Sequence, residues 1–187
     1  MQKILFILNH RAGRERLRTK LLDILDLFVK AGYEVTVHVT QSAGDAQKQV
    51  EKKGGGVERL VCSGGDGTLN EVVSGMMAWS REKRSQLGYI PAGSTNDFAA
   101  SLDLPKNMLR AAAIAVAGRP FAIDVGKFGD GRYFVYVAAF GAFTEVSYKT
   151  PQETKNPERF RLPVFGRKSL SGRARGSATH LFMQVAN

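Results

Sequence analysis

Apolar residues follow two alternating patterns along the first 118 residues. Short apolar runs predict buried strands at Lys3–Leu8, Tyr33–Val39, Glu58–Ser63 and Leu87–Ile90. Apolar positions at three- and four-residue spacing predict helices at Arg14–Ala31, Asp45–Lys53, Leu69–Trp79 and Lys106–Ala117. Strands that alternate with helices form βαβ units. The pattern therefore predicts an α/β fold, a parallel sheet with helices on both faces.

Smaller signals concern the ends and faces of these elements. Gly32 follows the first helix, where glycine favours termination. Ser42 precedes the second helix and is expected to cap it. In Tyr33–Val39 the valines alternate with polar residues, so Val37 and Val39 are expected to face the core.

The pattern changes after Gly118. Two strand-like segments, Phe121–Phe128 and Arg132–Phe140, are joined by the turn sequence Gly129-Asp130-Gly131. Adjacent strands with a tight turn predict antiparallel pairing. We therefore expect an α/β domain over 1–118, the start of an antiparallel β domain, incomplete in this chain, over 119–150, and an atypical tail over 151–187. The tail has no regular periodicity, and disorder is one interpretation of it.

Four loops rich in glycine or small polar residues follow the predicted strands. They are Asn9–Gly13, Thr40–Gly44, Gly64–Thr68 and Pro91–Asn96. Right-handed crossovers place such loops at one edge of a parallel sheet, the edge formed by the carboxyl ends of the strands. Ligands of open α/β sheets bind at that edge. The topology therefore predicts one ligand site built from four loops.

The third loop carries the strongest chemical signal, three glycines in the four residues Gly64 to Gly67. Glycines let a ligand approach the backbone, and free N–H groups at a helix N-terminus bind phosphate. Asp66 would lie beside such a phosphate with Mg²⁺ between them, or would stabilise the turn. Thr68 and Glu71 fit a capping box as well as they fit ligand contacts.

The remaining candidates are less specific. Pro91–Ala99 offers hydroxyls and an amide at the start of a helix, and Ser94 or Thr95 as an N-cap is the simpler interpretation. Arg11 is a phosphate partner or a plain surface charge. The three histidines lack the spacing of a metal site, and Cys62, inside a strand, is expected to be a core residue.

Composition restricts the class of protein. Lys and Arg number 27 against 17 Asp and Glu, a net charge of +10 that is shared equally between the body and the tail. A single cysteine excludes an internal disulfide and any multi-cysteine metal site. Uncharged runs such as Tyr133–Thr144 are too short for a membrane helix. The expected location is cytoplasmic, and the positive charge is compatible with peripheral contact at the inner face of a membrane.

Two motifs taken together, Gly64–Val72 and Ile90–Ala99, resemble the catalytic domain of the diacylglycerol kinase family. That family includes bacterial soluble lipid kinases and is related to sphingosine and ceramide kinases. The segments Asn9–Gly13, Thr40–Ala46 and Ile123–Gly126 support the resemblance. It implies a domain similar to that of NAD kinases and diacylglycerol kinases, followed by a β-sandwich that completes the lipid and metal site.

The resemblance further implies ATP and Mg²⁺ as cofactors and a lipid hydroxyl as the phosphate acceptor, met at a membrane surface. Asp66 would lie nearest the phosphates and the metal, and no residue is assigned as a metal ligand. The residues implied to hold the nucleotide are Asn9, His10, Arg11, Ala12, Gly13, Thr40, Gly64, Gly65, Asp66, Gly67, Thr68, Leu69, Asn70, Glu71, Gly93, Ser94, Thr95 and Asn96.

The chain departs from the family pattern in two places. His10 and Ala12 replace a proline and a serine that are frequent in the first loop, which removes one hydroxyl. After Pro151 the chain no longer follows the family, which there continues its β domain and supplies the general base. We therefore expect a truncated or frame-shifted product with weak or no turnover.

Two other functions stay open at this point. An NAD kinase shares the core of the glycine-rich loop, although the motif Pro91–Phe98 disfavours it. A nucleic-acid-binding protein would use the basic tail. The body shows no nucleic-acid motif, so no nucleic-acid partner is expected.

Overall fold

The computed structural model of this chain describes residues 1–128, 132–135 and 179–185. Its strands are β1 (Gln2–Leu8), β2 (Tyr33–Val39), β3 (Arg59–Gly64), β4 (Gln86–Pro91), β5 (Arg119–Phe128), β6 (Arg132–Phe134) and β7 (Thr179–Val185). Its helices are α1 (Arg14–Lys30), α2 (Asp45–Lys53), α3 (Asp66–Met76), α4 (Asp97–Ser101) and α5 (Met108–Ala117). Short 3₁₀ turns occupy Gly54–Gly56 and Arg81–Lys83.

The strands form one sheet in the order β2-β1-β3-β4-β7-β5-β6. Strands β1 to β4 are parallel, as the alternation of strands and helices predicts. Strand β5 pairs antiparallel with β6, as expected for the two segments after Gly118. The connecting residues 129–131, and the predicted second strand beyond 135, lie outside the described residues. The prediction of a parallel α/β sheet followed by antiparallel strands is confirmed.

Helices cover both faces of the parallel strands. On β1, Ile4 and Phe6 point to one side, where they pack with residues of α1 and α5. Leu5 and Ile7 point to the other side, into a second cluster with α2, α3 and α4. This alternation buries both faces of the central strands, as a doubly covered parallel sheet requires.

Strand β2 differs from its predicted burial. Val37 and Val39 are 39% and 37% exposed, so the expectation that they face the core is wrong. The cause is position, because β2 lies at the edge of the sheet. A period of two identifies which residues share a face, but it does not tell whether a helix covers that face.

Two helices begin at residues other than those predicted. Helix α3 begins at Asp66, three residues before the predicted Leu69, because Gly65 is its extended N-cap. Helix α5 begins at Met108, and the Asn107 side chain caps it by accepting hydrogen bonds from the backbone N–H groups of Leu109 and Arg110. Helix α2 is preceded by Gly44, in the left-handed conformation at φ 78°, so Ser42 is not its cap.

Strand β7 belongs to the region that the sequence analysis assigned to the tail. It lies between β4 and β5, parallel to the first and antiparallel to the second. Its register with β5 runs from Arg119 opposite Val185 to Val125 opposite Thr179. The sheet is thus extended by a segment that begins more than 50 positions after the end of β5.

Candidate functional site

The four predicted loops meet at the carboxyl edge of the sheet. Backbone hydrogen bonds join them in sequence: the Asn9 N–H donates to the Ser63 carbonyl at 2.9 Å, and the Ala92 N–H donates to the Gly64 carbonyl at 2.8 Å. The Thr40 N–H donates to the Leu8 carbonyl at 2.9 Å. The expected convergence of these loops is therefore present in the structure.

The third and fourth loops touch through glycine backbones. A Cβ on Gly93 would lie 2.6 Å from the Cα of Gly65, so no larger residue fits without backbone movement. The buried phenol of Tyr89 donates to the Gly64 carbonyl at 3.1 Å and so anchors the start of the glycine-rich segment to β4. Tyr89 was not predicted as a site residue. Its signal in the sequence is an aromatic residue near the end of a strand that a glycine-containing loop follows.

The first loop is fixed to α3 by Asn9. Its side-chain amide donates to the Thr68 hydroxyl at 3.0 Å, and its side-chain oxygen accepts from the Arg11 N–H at 3.0 Å. Gly13 has φ 59°, and a Cβ there would lie 2.5 Å from the Ala92 carbonyl oxygen. The first loop therefore packs on the fourth, with Arg11 exposed at its tip.

The N-terminus of α3 has no side-chain cap. Gly65 is the N-cap and offers no acceptor, and Asp66, Gly67 and Thr68 are the first three helical residues. The first N–H groups of a helix have no partner within it, and they carry the positive end of the helix dipole. Gly67 is exposed, and a Cβ there would meet no protein atom within 4 Å. The arrangement presents donors and open space to an anion.

The capping box, one of the two interpretations of Thr68 and Glu71, is not formed, because both residues lie inside α3 and Gly65 is its N-cap. The Thr68 hydroxyl accepts from Asn9 instead. The Glu71 carboxylate accepts from the Gly44 N–H at 2.9 Å. Each side chain thus ties α3 to a neighbouring loop.

Asp66 connects the third loop to α4. Its two carboxylate oxygens accept from the backbone N–H groups of Asp97 and Phe98, at 3.2 and 3.3 Å. Since α4 has no side-chain cap of its own, Asp66 supplies one from 31 residues away. Stabilisation of the turn, one of the two roles considered for Asp66, is therefore visible in the structure, and free lone pairs remain on the carboxylate.

The fourth loop is closed by Asn96. Its side chain accepts from the Gly93 N–H at 2.9 Å and donates to the Gly93 carbonyl at 2.7 Å. Asn96, at φ 53°, is also the N-cap position of α4, so neither Ser94 nor Thr95 is the cap. Both hydroxyl residues are exposed at the loop tip.

Several predicted site residues differ in accessibility. Leu69 is fully buried in the core beneath the loop, so its side chain cannot line the predicted nucleotide site. Thr40 is 7% exposed, and Ala12, Gly64 and Asn70 are buried or half-buried. The Nδ1 atom of His10 is buried without a hydrogen-bond partner.

Cys62 and Tyr89 are buried next to the site. Burial raises the pKa of the Cys62 thiol, and the nearby Glu71 carboxylate adds to that effect. Burial likewise raises the pKa of the Tyr89 phenol. Both groups are therefore neutral at physiological pH, and the expectation that Cys62 is a core residue is confirmed.

A cleft of about 660 Å³ lies at the opposite, amino edge of the sheet. Its lining includes Arg59 and Arg84 but none of the predicted site residues. The Arg59 guanidinium donates to the Tyr33 hydroxyl and to the Val116 carbonyl, both at 3.3 Å. Val116 lies in the last turn of α5, where a cation is favoured by the helix dipole. The Nε and Nη1 atoms of Arg59 and the Nη1 atom of Arg84 are buried without a hydrogen-bond partner among the described residues, so the protein satisfies these two guanidiniums only in part.

The comparison with known families shows the family of this chain. The family described as diacylglycerol kinase catalytic domain matches residues 3–128. The chain belongs to this family. The matched region contains all four loops, and membership of this family favours a diacylglycerol kinase domain over an NAD kinase domain.

Relatives of the kinase family agree over the same region. A diacylglycerol kinase of Staphylococcus carnosus (strain TM300) is 41% identical over 152 residues, 80% of this chain and 48% of that protein. One of Staphylococcus aureus (strain MRSA252) is 38% identical over 151 residues, 80% of this chain and 47% of that protein. A crystal structure of a diacylglycerol kinase from Bacillus anthracis str. Sterne matches with a TM-score of 0.64 and 32% identity, over 71% of this chain and 45% of that one. The chain spans about half the length of the curated relatives it matches.

The described part of this kinase-family chain has neither a cluster of metal-binding side chains nor a membrane-spanning helix. That part holds no cluster of three or more His, Cys, Asp or Glu side chains placed to bind a metal ion. Mg²⁺ in kinases is usually held by one or two carboxylates together with substrate phosphates, and Asp66 fits that limited role. The same residues include no helix that combines the length and the apolar character needed to span a bilayer.

Proposed function

We propose that this chain carries the nucleotide-binding part of an ATP-dependent kinase that phosphorylates a lipid hydroxyl, such as that of diacylglycerol. The observation that carries the proposal is the uncapped N-terminus of α3, at the point where four loops meet. Helix N-termini with glycine-rich approaches bind phosphate in many nucleotide-binding proteins. Family membership supplies the reaction class.

The triphosphate would occupy the space in front of Gly65, Asp66 and Gly67. Their backbone N–H groups would donate to phosphate oxygens, and the absence of side chains on the two glycines would allow close approach. The exposed hydroxyls of Ser94 and Thr95, and the positive charge of Arg11, lie on neighbouring loops of the same edge. These groups would orient the phosphates and balance their charge.

Asp66 would be the carboxylate nearest a phosphate-bound Mg²⁺. When bound, Mg²⁺ supplies neutralisation of the charge on the transferring phosphate. Asp66 keeps its structural role in this proposal, because its bonds to the α4 backbone fix the carboxylate at the site. No described residue is assigned as the general base.

We propose that the lipid acceptor is met at a membrane surface. The net charge of +10 supports this, because cytoplasmic membrane leaflets are negatively charged. Contact would then be peripheral.

Isothermal titration calorimetry with ATP and MgCl₂ tests the nucleotide part of the proposal. We expect one saturable site per chain, with ADP competing and NAD without effect. Transfer of labelled phosphate from ATP to diacylglycerol in mixed micelles tests the reaction. Absence of heat with ATP and Mg²⁺ would overturn the proposal, and binding without transfer would limit it to nucleotide binding.

A further inference from the structure

We propose that Glu71 is a positioning residue that holds the Thr40–Gly44 loop against α3, so that this loop is preformed for the nucleotide. The inference rests on the proposed function, because it assigns to Glu71 an indirect part in nucleotide binding. The sequence resemblance implied that Glu71 contacts the ligand directly. In this inference Glu71 contacts protein backbone instead.

The geometry of Glu71 supports this role. Its Oε1 atom lies 2.9 Å from the nitrogen of Gly44, although the two residues are 27 positions apart in sequence. Gly44 is the N-cap of α2 and has φ 78°, a conformation that residues with a Cβ rarely adopt. A carboxylate next to the start of α2 is also favoured by the dipole of that helix. Glu71 therefore holds the backbone of Gly44 in place, at a point where a glycine leaves the chain otherwise free to move.

The shape of the loop is set separately from its position. Within the loop, the Asp45 carboxylate accepts from the Gln41 N–H at 2.8 Å and from His38 Nε2 at 3.0 Å. Those bonds join residues of the same short segment and would survive a shift of the whole loop. Among the side-chain hydrogen bonds of the described residues, the one that Glu71 accepts from the Gly44 N–H joins this segment to α3, whose first turn forms the proposed phosphate site.

Electrostatics argue against a phosphate contact for the same carboxylate. Glu71 is half-buried, and a negative side chain facing a triphosphate would repel it unless a cation lay between them. A carboxylate already bonded to a backbone N–H has its charge partly satisfied. The Glu71 side chain therefore contributes to binding by holding the Gly44 end of the loop in place, whereas Thr40, at the other end, is held by the bond from its own N–H to the Leu8 carbonyl.

Three variants of the full chain separate positioning from direct contact. Glu71→Gln keeps the oxygen that accepts from Gly44 but removes the charge, whereas Glu71→Ala removes both. Glu51→Ala is the matched control, because it deletes a comparable hydrogen bond, that from Gln47 Nε2 at 2.8 Å, on the exposed part of α2. Affinity for ATP with Mg²⁺ is measured by calorimetry, and amide hydrogen exchange is measured at Gly44.

We expect Glu71→Ala to weaken ATP binding about tenfold and Glu71→Gln by no more than about twofold, against no change for Glu51→Ala. Exchange at the Gly44 amide should accelerate in Glu71→Ala and stay slow in Glu71→Gln. Equal losses in the two Glu71 variants with unchanged exchange would show direct contact with ligand or metal and overturn the inference, as would wild-type affinity in Glu71→Ala.

The two proposals fail in different ways. If the wild-type chain binds no nucleotide, the proposed function is wrong. Exchange at Gly44 then still decides whether Glu71 holds the loop, and equal exchange in wild type and Glu71→Ala would refute that as well.

Discussion

Gly67→Ala separates the folding of α3 from ligand binding at its N-terminus. Gly67 is the second residue of the helix, its φ lies outside the positive range, and an added Cβ would meet no protein atom within 4 Å. Alanine is favoured over glycine in helices by up to about 1 kcal/mol, with a smaller gain in the first turn. The variant should therefore fold with unchanged or slightly higher stability.

The same methyl group should interfere with the ligand. The Cα–Cβ bond in a helix tilts towards the N-terminus, which is where the phosphates are proposed to lie. Insertion of a methyl group into a packed site costs about 1–3 kcal/mol. We therefore expect ATP affinity to fall about tenfold or more, since tenfold corresponds to about 1.4 kcal/mol.

The control for this variant is Gly56→Ala. A Cβ on Gly56 also meets no protein atom within 4 Å, but Gly56 lines the cleft at the opposite edge of the sheet. Urea unfolding measures stability, and calorimetry with ATP and Mg²⁺ measures affinity. Wild-type affinity in Gly67→Ala, or an equal loss in Gly56→Ala, would refute the reasoning.

Three further predictions concern folding and chemistry around the site. Gly93→Ala should destabilise the chain by about 1–3 kcal/mol in urea unfolding, because the added Cβ would lie 2.6 Å from the Gly65 Cα; an unchanged midpoint contradicts this. The Gln41 N–H, followed by His38, lowers the pKa of Asp45 below its ordinary 3.8, so Asp45 contributes stability above that pH and loses it as the pH falls through the depressed pKa. As the pH is lowered below 4, the wild type should therefore lose more stability than Asp45→Asn, measured by circular dichroism during acid unfolding. An equal loss of stability in the two proteins would contradict this. The buried Cys62 thiol, whose pKa is raised by burial, should react with a thiol reagent rapidly in urea and slowly in native buffer, and fast native labelling would show that the core is open.

The parallel part of the fold could be read from periodicity because each signal there is local. The run from Ile4 to Leu8 is buried on both faces and is apolar throughout, which indicates a covered parallel strand. The position of the loops then follows from the parallel direction of the strands, because their carboxyl ends all lie at one edge of the sheet. That is why the convergence of four loops could be predicted without any knowledge of their contacts.

The contacts within the site could not be predicted, because they join residues far apart in sequence. The bond that Asp66 accepts from the start of α4 spans 31 residues, and the bond that Glu71 accepts from the Gly44 N–H spans 27. A local capping pattern suggested a different partner for Glu71, and only the beginning of α3 at Asp66 excludes it. Strand β7 was missed for the same reason, since its pairing with β5 has no local signal.

Amide hydrogen exchange with and without ATP and Mg²⁺ tests the central claim most directly, since it locates the ligand on the chain. The account predicts that added nucleotide slows exchange at Gly65, Asp66 and Gly67 and in the neighbouring loops, and leaves the amino edge around Arg59 and Gln86 unchanged. Slowing at the amino edge, or no change at the N-terminus of α3 under saturating nucleotide, would contradict it.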